Sequence, residues 1–232
     1  MKYRHEKKHE ITMADMIAIR QRLQAVAEPD THAIDGKYLI RSLYCDTPTN
    51  KALLEKQFGV SRRQKFRIRY YNNDPSLIHL EKKCKAGELG TKVSAPLTPQ
   101  QAQAIVDGDI AWMQSSEHPL IQEFYSQMMS QQLRPRTIVD YTREPFIYGP
   151  GNVRVTLDYD IRTGMKSTDF LNPECITIPA APGICIMEVK WDEYLPEIIR
   201  DAVQLPFCRT GSFSKYEVCR IPQLANGTLA YE

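Results

Sequence analysis

The sequence of 232 residues predicts an α+β protein whose antiparallel strands close into a barrel with helices packed outside. The main observation is the segment 65–71, K-F-R-I-R-Y-Y, in which cations alternate with apolar side chains. Successive side chains of a strand point to opposite faces, so Lys65, Arg67 and Arg69 share one face and the other face is apolar. Neighbouring like charges repel one another, so this face indicates a bound anion.

Three further segments, 80–84, 153–159 and 186–191, repeat the alternation of charged and apolar side chains. Their charged or polar faces carry, in chain order, Glu81, Lys83, Arg154, Thr156, Asp158, Glu188 and Lys190. Strands of this kind can form a barrel with a charged lumen and an apolar exterior that helices cover. Such a lumen suits a polyanion accompanied by a metal ion.

The remaining elements follow from periodicity, caps and turns. The predicted strands are 2–11, 38–45, 65–71, 76–84, 91–95, 134–148, 153–161, 175–178 and 185–192. The predicted helices are 12–26, 50–58, one that begins at Thr98, 117–132, 196–204 and 213–220. Thr12 and Thr98 are the expected N-caps. We expect one domain over 1–221 and a C-terminal tail over 222–232.

Composition argues against several classes of protein. The net charge of +2 gives no basis for expecting a nucleic-acid partner. No apolar run reaches the length of a membrane span, and the N-terminus lacks the apolar core of a signal peptide, so we expect a cytoplasmic protein. The six cysteines include no C-x-x-C pair and predict reduced thiols. No G-x-x-x-x-G-K-[ST] loop is present, so side chains must hold any nucleotide.

An ordered set of motifs over about residues 3–221 resembles the VTC domain. The motifs are E-K-K-H at 6–9, S-L-Y-C-D-T-P at 42–48, K-F-R-I-R-Y-Y at 65–71, L-E-K-K at 80–83, Y-T-R-E-P-F at 141–146, R-V-T-L-D at 154–158, M-E-V-K at 187–190 and F-S-K-Y at 213–216. VTC domains are the polyphosphate-polymerase branch of the triphosphate tunnel metalloenzymes, whose wider relatives include the CYTH phosphatases and cyclases.

The resemblance implies a tunnel of about eight antiparallel strands and an ATP-dependent polymerase of inorganic polyphosphate that uses a divalent metal, Mn or Mg. It also implies the roles of individual residues. The catalytic set that contacts the triphosphate and the metal is Arg67, Arg69, Lys83, Arg143, Arg154 and Glu188. The further phosphate-binding residues are Lys8, Lys92, Lys190 and Lys215. Tyr141 is the expected nucleotide contact, and Glu6 is a second candidate metal ligand beside Glu188.

Two positions depart from the pattern of the relatives. The wider superfamily begins with an E-x-E-x-K strand, whereas Arg4 replaces the first carboxylate here, which argues against two-metal hydrolysis. Ser212 stands where the polymerases tend to carry a second lysine.

Three functions therefore stay open: a polymerase, a tripolyphosphatase, or a polyphosphate-binding or sensing module without turnover. The expected ligands are ATP and inorganic polyphosphate or triphosphate. The sequence lacks the SPX region and membrane segments of the eukaryotic relatives, so a separate membrane protein is one candidate partner. The oligomeric state is open.

Overall fold

Alternating charged and apolar side chains place eight long strands in one antiparallel sheet. The computed structural model describes residues 4–87, 89–205, 209–211 and 213–228. The strands are β1 (His5–Thr12), β2 (Glu28–Pro29), β3 (Tyr38–Asp46), β4 (Arg62–Tyr71), β5 (Asp74–Ala86), β6 (Leu89–Leu97), β7 (Arg134–Tyr148), β8 (Val153–Thr163), β9 (Ile178–Pro179), β10 (Ile184–Trp191) and β11 (Arg209–Thr210). The helices are α1 (Met13–Val26), α2 (Lys51–Gln57), α3 (Pro99–Asp107), α4 (Pro119–Ser130), α5 (Glu197–Ala202) and α6 (Lys215–Thr228).

The sheet curls so that β1, next to the two-residue terminal strand β11, approaches β6. Its strand order is β11-β1-β10-β8-β7-β3-β4-β5-β6, with β2 paired to β7 and β9 paired to β8. An isolated antiparallel bridge between Arg4 and Gly90 joins the β1 edge to the β6 edge. The ion pair between Lys83 on β5 and Glu6 on β1 spans the same seam. The predicted α+β barrel of about eight strands is therefore confirmed.

Helices cover the apolar exterior of the barrel. Phe66 on β4 stacks on Phe124 of α4, in a core that α3 also helps to enclose. A second core lies where Leu23 of α1 and Ile199 of α5 pack over β8 and β10. At one end of the barrel, α2 and α6 pack against the lumen side of the sheet, where Tyr216 belongs to a third core. The cation-bearing faces of the strands are thereby left to line the remaining lumen.

The two N-caps predicted from the sequence are observed, whereas the predicted end of the last helix is not. Thr12 forms a capping box with Asp15, and Thr98 forms one with Gln101, as expected for these N-caps. The predicted end of the last helix at residue 220 is wrong, because α6 continues past Pro222 to Thr228. A proline removes one hydrogen bond and can bend a helix without ending it. The strand predicted at 175–178 is reduced to β9. None of the described helices is long and apolar enough to cross a bilayer.

Candidate active site

The barrel lumen contains a cavity of about 470 Å³ whose described lining is strongly basic. Twelve cations line it, against two carboxylates, Glu6 and Glu188. The cations are Lys7, Lys8, Lys56, Arg63, Lys65, Arg67, Arg69, Lys83, Lys85, Arg143, Lys190 and Lys215. Ten of the twelve residues predicted for the site line this cavity, including Tyr141. Cations confined within a low-dielectric wall focus a positive potential, so the cavity is built to attract an anion.

The first cluster contains both carboxylates and lies on β1, β5 and β10. Lys8 is opposite Glu188 and Glu6 is opposite Lys190 in the β1–β10 ladder. The Glu6 carboxylate lies 2.9 Å from Lys83 Nζ and 3.2 Å from Lys8 Nζ. Lys190 pairs with Glu188, and Lys8 Nζ is 3.7 Å from it.

Both carboxylates of this cluster are ionised at neutral pH. Burial raises the pKa of Glu6 and so does Glu188, but Lys8, Lys83 and Lys190 outweigh them and lower it to about 2. Burial also raises the pKa of Glu188, yet the same lysines hold it well below its ordinary range. The cluster therefore presents two negative charges inside a cationic wall.

The donor set of this cluster fits a single hard divalent cation. No group of three or more His, Cys, Asp or Glu side chains that could hold a metal occurs among the described residues. Mg²⁺ and similar ions keep several waters and commonly bind one or two protein carboxylates together with substrate phosphates. Glu6 and Glu188 can supply those carboxylates, while the lysines neutralise them in the protein alone.

The second cluster is built around Glu81, which sequence reasoning placed on the charged face of its strand but did not include in the site. Its carboxylate is 3% exposed and accepts a 2.7 Å hydrogen bond from Arg67 Nε. Arg67 Nη1 also donates to the Tyr44 hydroxyl at 2.8 Å, and Arg69 Nη2 donates to the Tyr141 hydroxyl at 3.0 Å. Glu81, which does not itself line the cavity, thus holds the guanidinium groups of Arg67 and Arg69 in place.

The charges of this cluster shift two pKa values. Burial raises the pKa of Glu81, but Arg67, Arg69 and Lys92 outweigh it and hold this pKa well below its usual range. Burial also raises the pKa of Tyr44, yet Arg67 and Arg69 lower it to about 8. The positive potential of the lumen therefore favours ionisation even of the Tyr44 phenol.

The third cluster joins α6 to β7 and β8. Both prongs of the Arg143 guanidinium bind the Asp158 carboxylate, at 2.7 and 2.8 Å. Lys215 Nζ lies 2.6 Å from the same fully buried carboxylate. Burial raises the pKa of Asp158, but Arg143 and Lys215 lower it to about 2. Asp158 therefore anchors two cavity cations, although sequence reasoning did not include it in the site.

Several cavity cations have no carboxylate partner within the described part of the chain. Lys65 Nζ bonds to the Ser214 hydroxyl at 3.2 Å, and Arg63 donates to the Val60 carbonyl oxygen. Burial lowers the pKa of Lys65 to about 8, and nearby Lys56 and Arg63 act in the same direction. An anionic ligand would supply the missing negative charge.

Two predicted phosphate contacts, Arg154 and Lys92, are not among the residues that line the cavity. Arg154 is the ladder partner of Lys190, but its Nη2 atom lies 3.3 Å from the Asp30 carboxylate. Lys92 is 54% exposed and lies 2.8 Å from Glu81. In each case a carboxylate from another segment of the chain holds the cation. Ser212 lies outside the described residues.

An antiparallel barrel whose lumen carries converging cations and a pair of carboxylates defines a triphosphate tunnel protein. The family model of the VTC domain matches residues 3–220, and the chain belongs to this family. A comparison with curated proteins finds no match.

Comparison with solved structures finds matches at low sequence identity. The chain is similar to a Hippeastrum protein described as having a dominant triphosphatase activity, with a TM-score of 0.56, 12% identity, and coverage of 96% of this chain and 97% of that one. A Pyrococcus horikoshii protein matches with a TM-score of 0.47, 12% identity and coverage of 97% and 98%. A Bacillus halodurans protein matches with a TM-score of 0.48, 15% identity and coverage of 100% and 93%.

Proposed function

We propose that the protein is a metal-dependent polyphosphate polymerase that transfers the γ-phosphate of ATP to a growing inorganic polyphosphate chain in the lumen. The observation that carries the proposal is the charge of the cavity, with twelve cations against two carboxylates. Triphosphates and polyphosphates carry about one negative charge on every phosphate, so they complement this lining. Membership of the VTC family supports a polymeric product.

Phosphoryl transfer here needs no protein nucleophile. An oxygen of the acceptor's terminal phosphate attacks the γ-phosphorus, and the bond to the β–γ bridging oxygen breaks, so that its electron pair leaves with ADP. Arg67, Arg69 and Arg143 are held by Glu81, Tyr141 and Asp158, and their forks bind phosphate oxygens as charge develops on them. Because these groups are fixed before substrate enters, little reorganisation accompanies the reaction.

A divalent ion would bind at Glu6 and Glu188, where it neutralises phosphate charge and orients the transferring group. Lys8, Lys83 and Lys190 contact these carboxylates in the protein alone and would be available to phosphate oxygens with the ion in place. Arg4, at the position of the missing superfamily carboxylate, pairs with Asp192. A cation at this position leaves one carboxylate fewer for a second metal, which supports transfer to a phosphate acceptor over two-metal hydrolysis.

Tyr141, the proposed nucleotide contact, has a second role in the protein without ligand. The centre of its ring lies 4.6 Å from Lys215 Nζ and 5.5 Å from the Arg143 guanidinium, and its hydroxyl accepts a bond from Arg69. Cations over an aromatic face are stabilised by the ring quadrupole. Tyr141 therefore gathers three phosphate-binding cations on one side chain.

The test is one incubation with ATP and Mn²⁺ or Mg²⁺, followed by a polyphosphate-specific stain, ADP measurement and free-phosphate measurement. We expect stained chains and one ADP for each phosphate incorporated. Lys65→Met should reduce the yield, because it removes a cavity cation without breaking an ion pair with any described residue. Arg200→Ala is the control, since Arg200 is exposed on α5 and pairs with Glu197. Free phosphate without chains would indicate a triphosphatase instead, and binding without turnover would indicate a binding module.

A further inference from the structure

Two of the sequence motifs meet at a buried hydrogen bond outside the phosphate-binding set. Tyr216, from F-S-K-Y, donates its hydroxyl to Asp46 Oδ2, from S-L-Y-C-D-T-P, at 2.7 Å. Asp46 is 0% exposed and Tyr216 is 1% exposed. Such a bond costs more to break than a surface contact, because a buried carboxylate that loses a donor cannot replace it with water.

Asp46 connects three elements at this point. Its Oδ1 atom accepts hydrogen bonds from the backbone N–H groups of Thr47 and Ala52, each at 2.8 Å. Its Oδ2 atom accepts one from the Leu53 N–H at 3.2 Å as well as the Tyr216 hydroxyl. One carboxylate at the end of β3 therefore satisfies the first turn of α2 and holds α6.

Tyr216 is also tied to the phosphate-binding side chains. Its ring stacks on Tyr44, with ring centres 5.1 Å apart, and Tyr44 accepts the Arg67 hydrogen bond. The preceding residue, Lys215, reaches Asp158 and the face of Tyr141 in the lumen. A shift of Tyr216 would therefore move one cavity cation directly and disturb a second through Tyr44.

We propose that Asp46 and Tyr216 form a latch that docks the first turn of α6 onto the barrel and positions Lys215 for the phosphate ligand. Both are positioning residues, since the Tyr216 hydroxyl is directed to Asp46, and Asp46 does not line the cavity. The effect on ligand binding rests on the proposed function, whereas the docking of α6 does not. The other described polar contacts of α6 include Lys215 to Asp158 and the Thr163 hydroxyl to the Cys219 carbonyl oxygen, which tie α6 to β8. The latch differs from these contacts because it joins α6 to β3 and to the first turn of α2 through one buried carboxylate.

The variant that tests the latch is Tyr216→Phe, which keeps the ring and its stacking but removes the hydroxyl. Its matched control is Tyr159→Phe, because the Tyr159 hydroxyl donates to Glu144 at the same 2.7 Å on the outer side of the barrel. Hydrogen exchange of the protein without ligand and isothermal titration with tripolyphosphate are measured on both. Tyr216→Phe should speed exchange over 215–221 while the strands stay protected, and weaken tripolyphosphate binding about tenfold, the effect of one misplaced charge-assisted bond. Tyr159→Phe should do neither.

A double-mutant cycle separates positioning from a general loss of stability. If the latch acts through Lys215, Tyr216→Phe should weaken tripolyphosphate binding less than about twofold in a Lys215→Ala background. A further tenfold loss in that background, or unchanged affinity in the single variant, would overturn the positioning role. If the parent binds no tripolyphosphate, the proposed function fails, and unchanged exchange over 215–221 in Tyr216→Phe would overturn the latch independently.

Discussion

Replacing Glu81 by Gln should make the protein less stable and its ligand tighter at the same time. The buried carboxylate is 2.7 Å from Arg67, 3.8 Å from Arg69 and 2.8 Å from Lys92. Glutamine has nearly the same shape but no charge, so the substitution leaves three cations without their common counter-charge. In the empty lumen those cations then repel one another, whereas a bound phosphate chain supplies the missing negative charge.

The magnitude follows from burial and distance. At an effective dielectric constant of about 20, unit charges about 4 Å apart attract by about 4 kcal/mol, and desolvation offsets part of this. Lys92 is half exposed, so its pair contributes at most about 1 kcal/mol. Loss of one partner from a buried pair costs about 3–5 kcal/mol, and the lower value corresponds to a fall of about 6–12 °C in Tm for a chain of this size. Glu81→Gln also removes a negative charge that repels phosphate and offsets the charge of Arg67, so it should tighten binding about tenfold.

Thermal melts with and without tripolyphosphate, together with isothermal titration, measure both effects. Glu123→Gln is the control, because it makes the same substitution in a partly exposed pair with Lys82 on the outside of the barrel. We expect the control to change neither quantity by much. An unchanged Tm for Glu81→Gln without ligand, or weaker tripolyphosphate binding, would refute the competition between Glu81 and the ligand for Arg67.

Three further outcomes are expected. Glu188→Ala should abolish metal-stimulated turnover but retain tripolyphosphate affinity in metal-free titrations, since a carboxylate repels phosphate unless a cation lies between them; turnover at the parent rate would shift the metal to Glu6. Asp30→Asn should tighten tripolyphosphate binding up to about fivefold by titration, because it releases Arg154 from a partly exposed ion pair, and unchanged affinity would leave Arg154 without a role in binding. Raising the pH from 7 to 9 should weaken binding as Lys65, with its pKa lowered to about 8, loses its charge. The pKa of Lys83 in the same cavity is also lowered to about 8, so Lys65→Met should reduce this dependence without removing it. The unfolded chain holds the Lys65 proton more tightly than the folded protein does, so the stability of the protein without ligand should rise as the pH increases from about 8. A fall in Tm over that range would contradict the lowered pKa of Lys65.

Strand alternation predicted which side chains of β4 enter the lumen, because a register shift of one residue would reverse every face. Phe66, Ile68 and Tyr70 are buried in the exterior core, and Arg67 and Arg69 line the cavity, as the pattern at 65–71 indicated. The pairing of Lys8 with Glu188 depends on the β1–β10 ladder, which the resemblance to the VTC domain indicated only in outline.

Alternation could not predict which counter-ion each cation would find. Arg154 is 124 residues from Asp30, and no local pattern connects them. Glu81 and Asp158 were visible on charged faces, but their role as anchors of the arginines appears only when the strands are assembled. The latch between Asp46 and Tyr216 likewise spans 170 residues and links two motifs that the sequence presents separately.

The seam of the barrel has a consequence for how the chain folds. β1 forms its ladder with β10, which ends at Trp191, so this strand remains without its main partner until most of the chain has been synthesised. Non-local pairing of this kind makes folding slow, and an unpaired strand invites association between molecules. β1 reads H-E-K-K-H-E-I-T, with charges on both faces. Charges on both faces of an unpaired strand oppose association, so the residues proposed for the phosphate site also protect β1 before β10 is available.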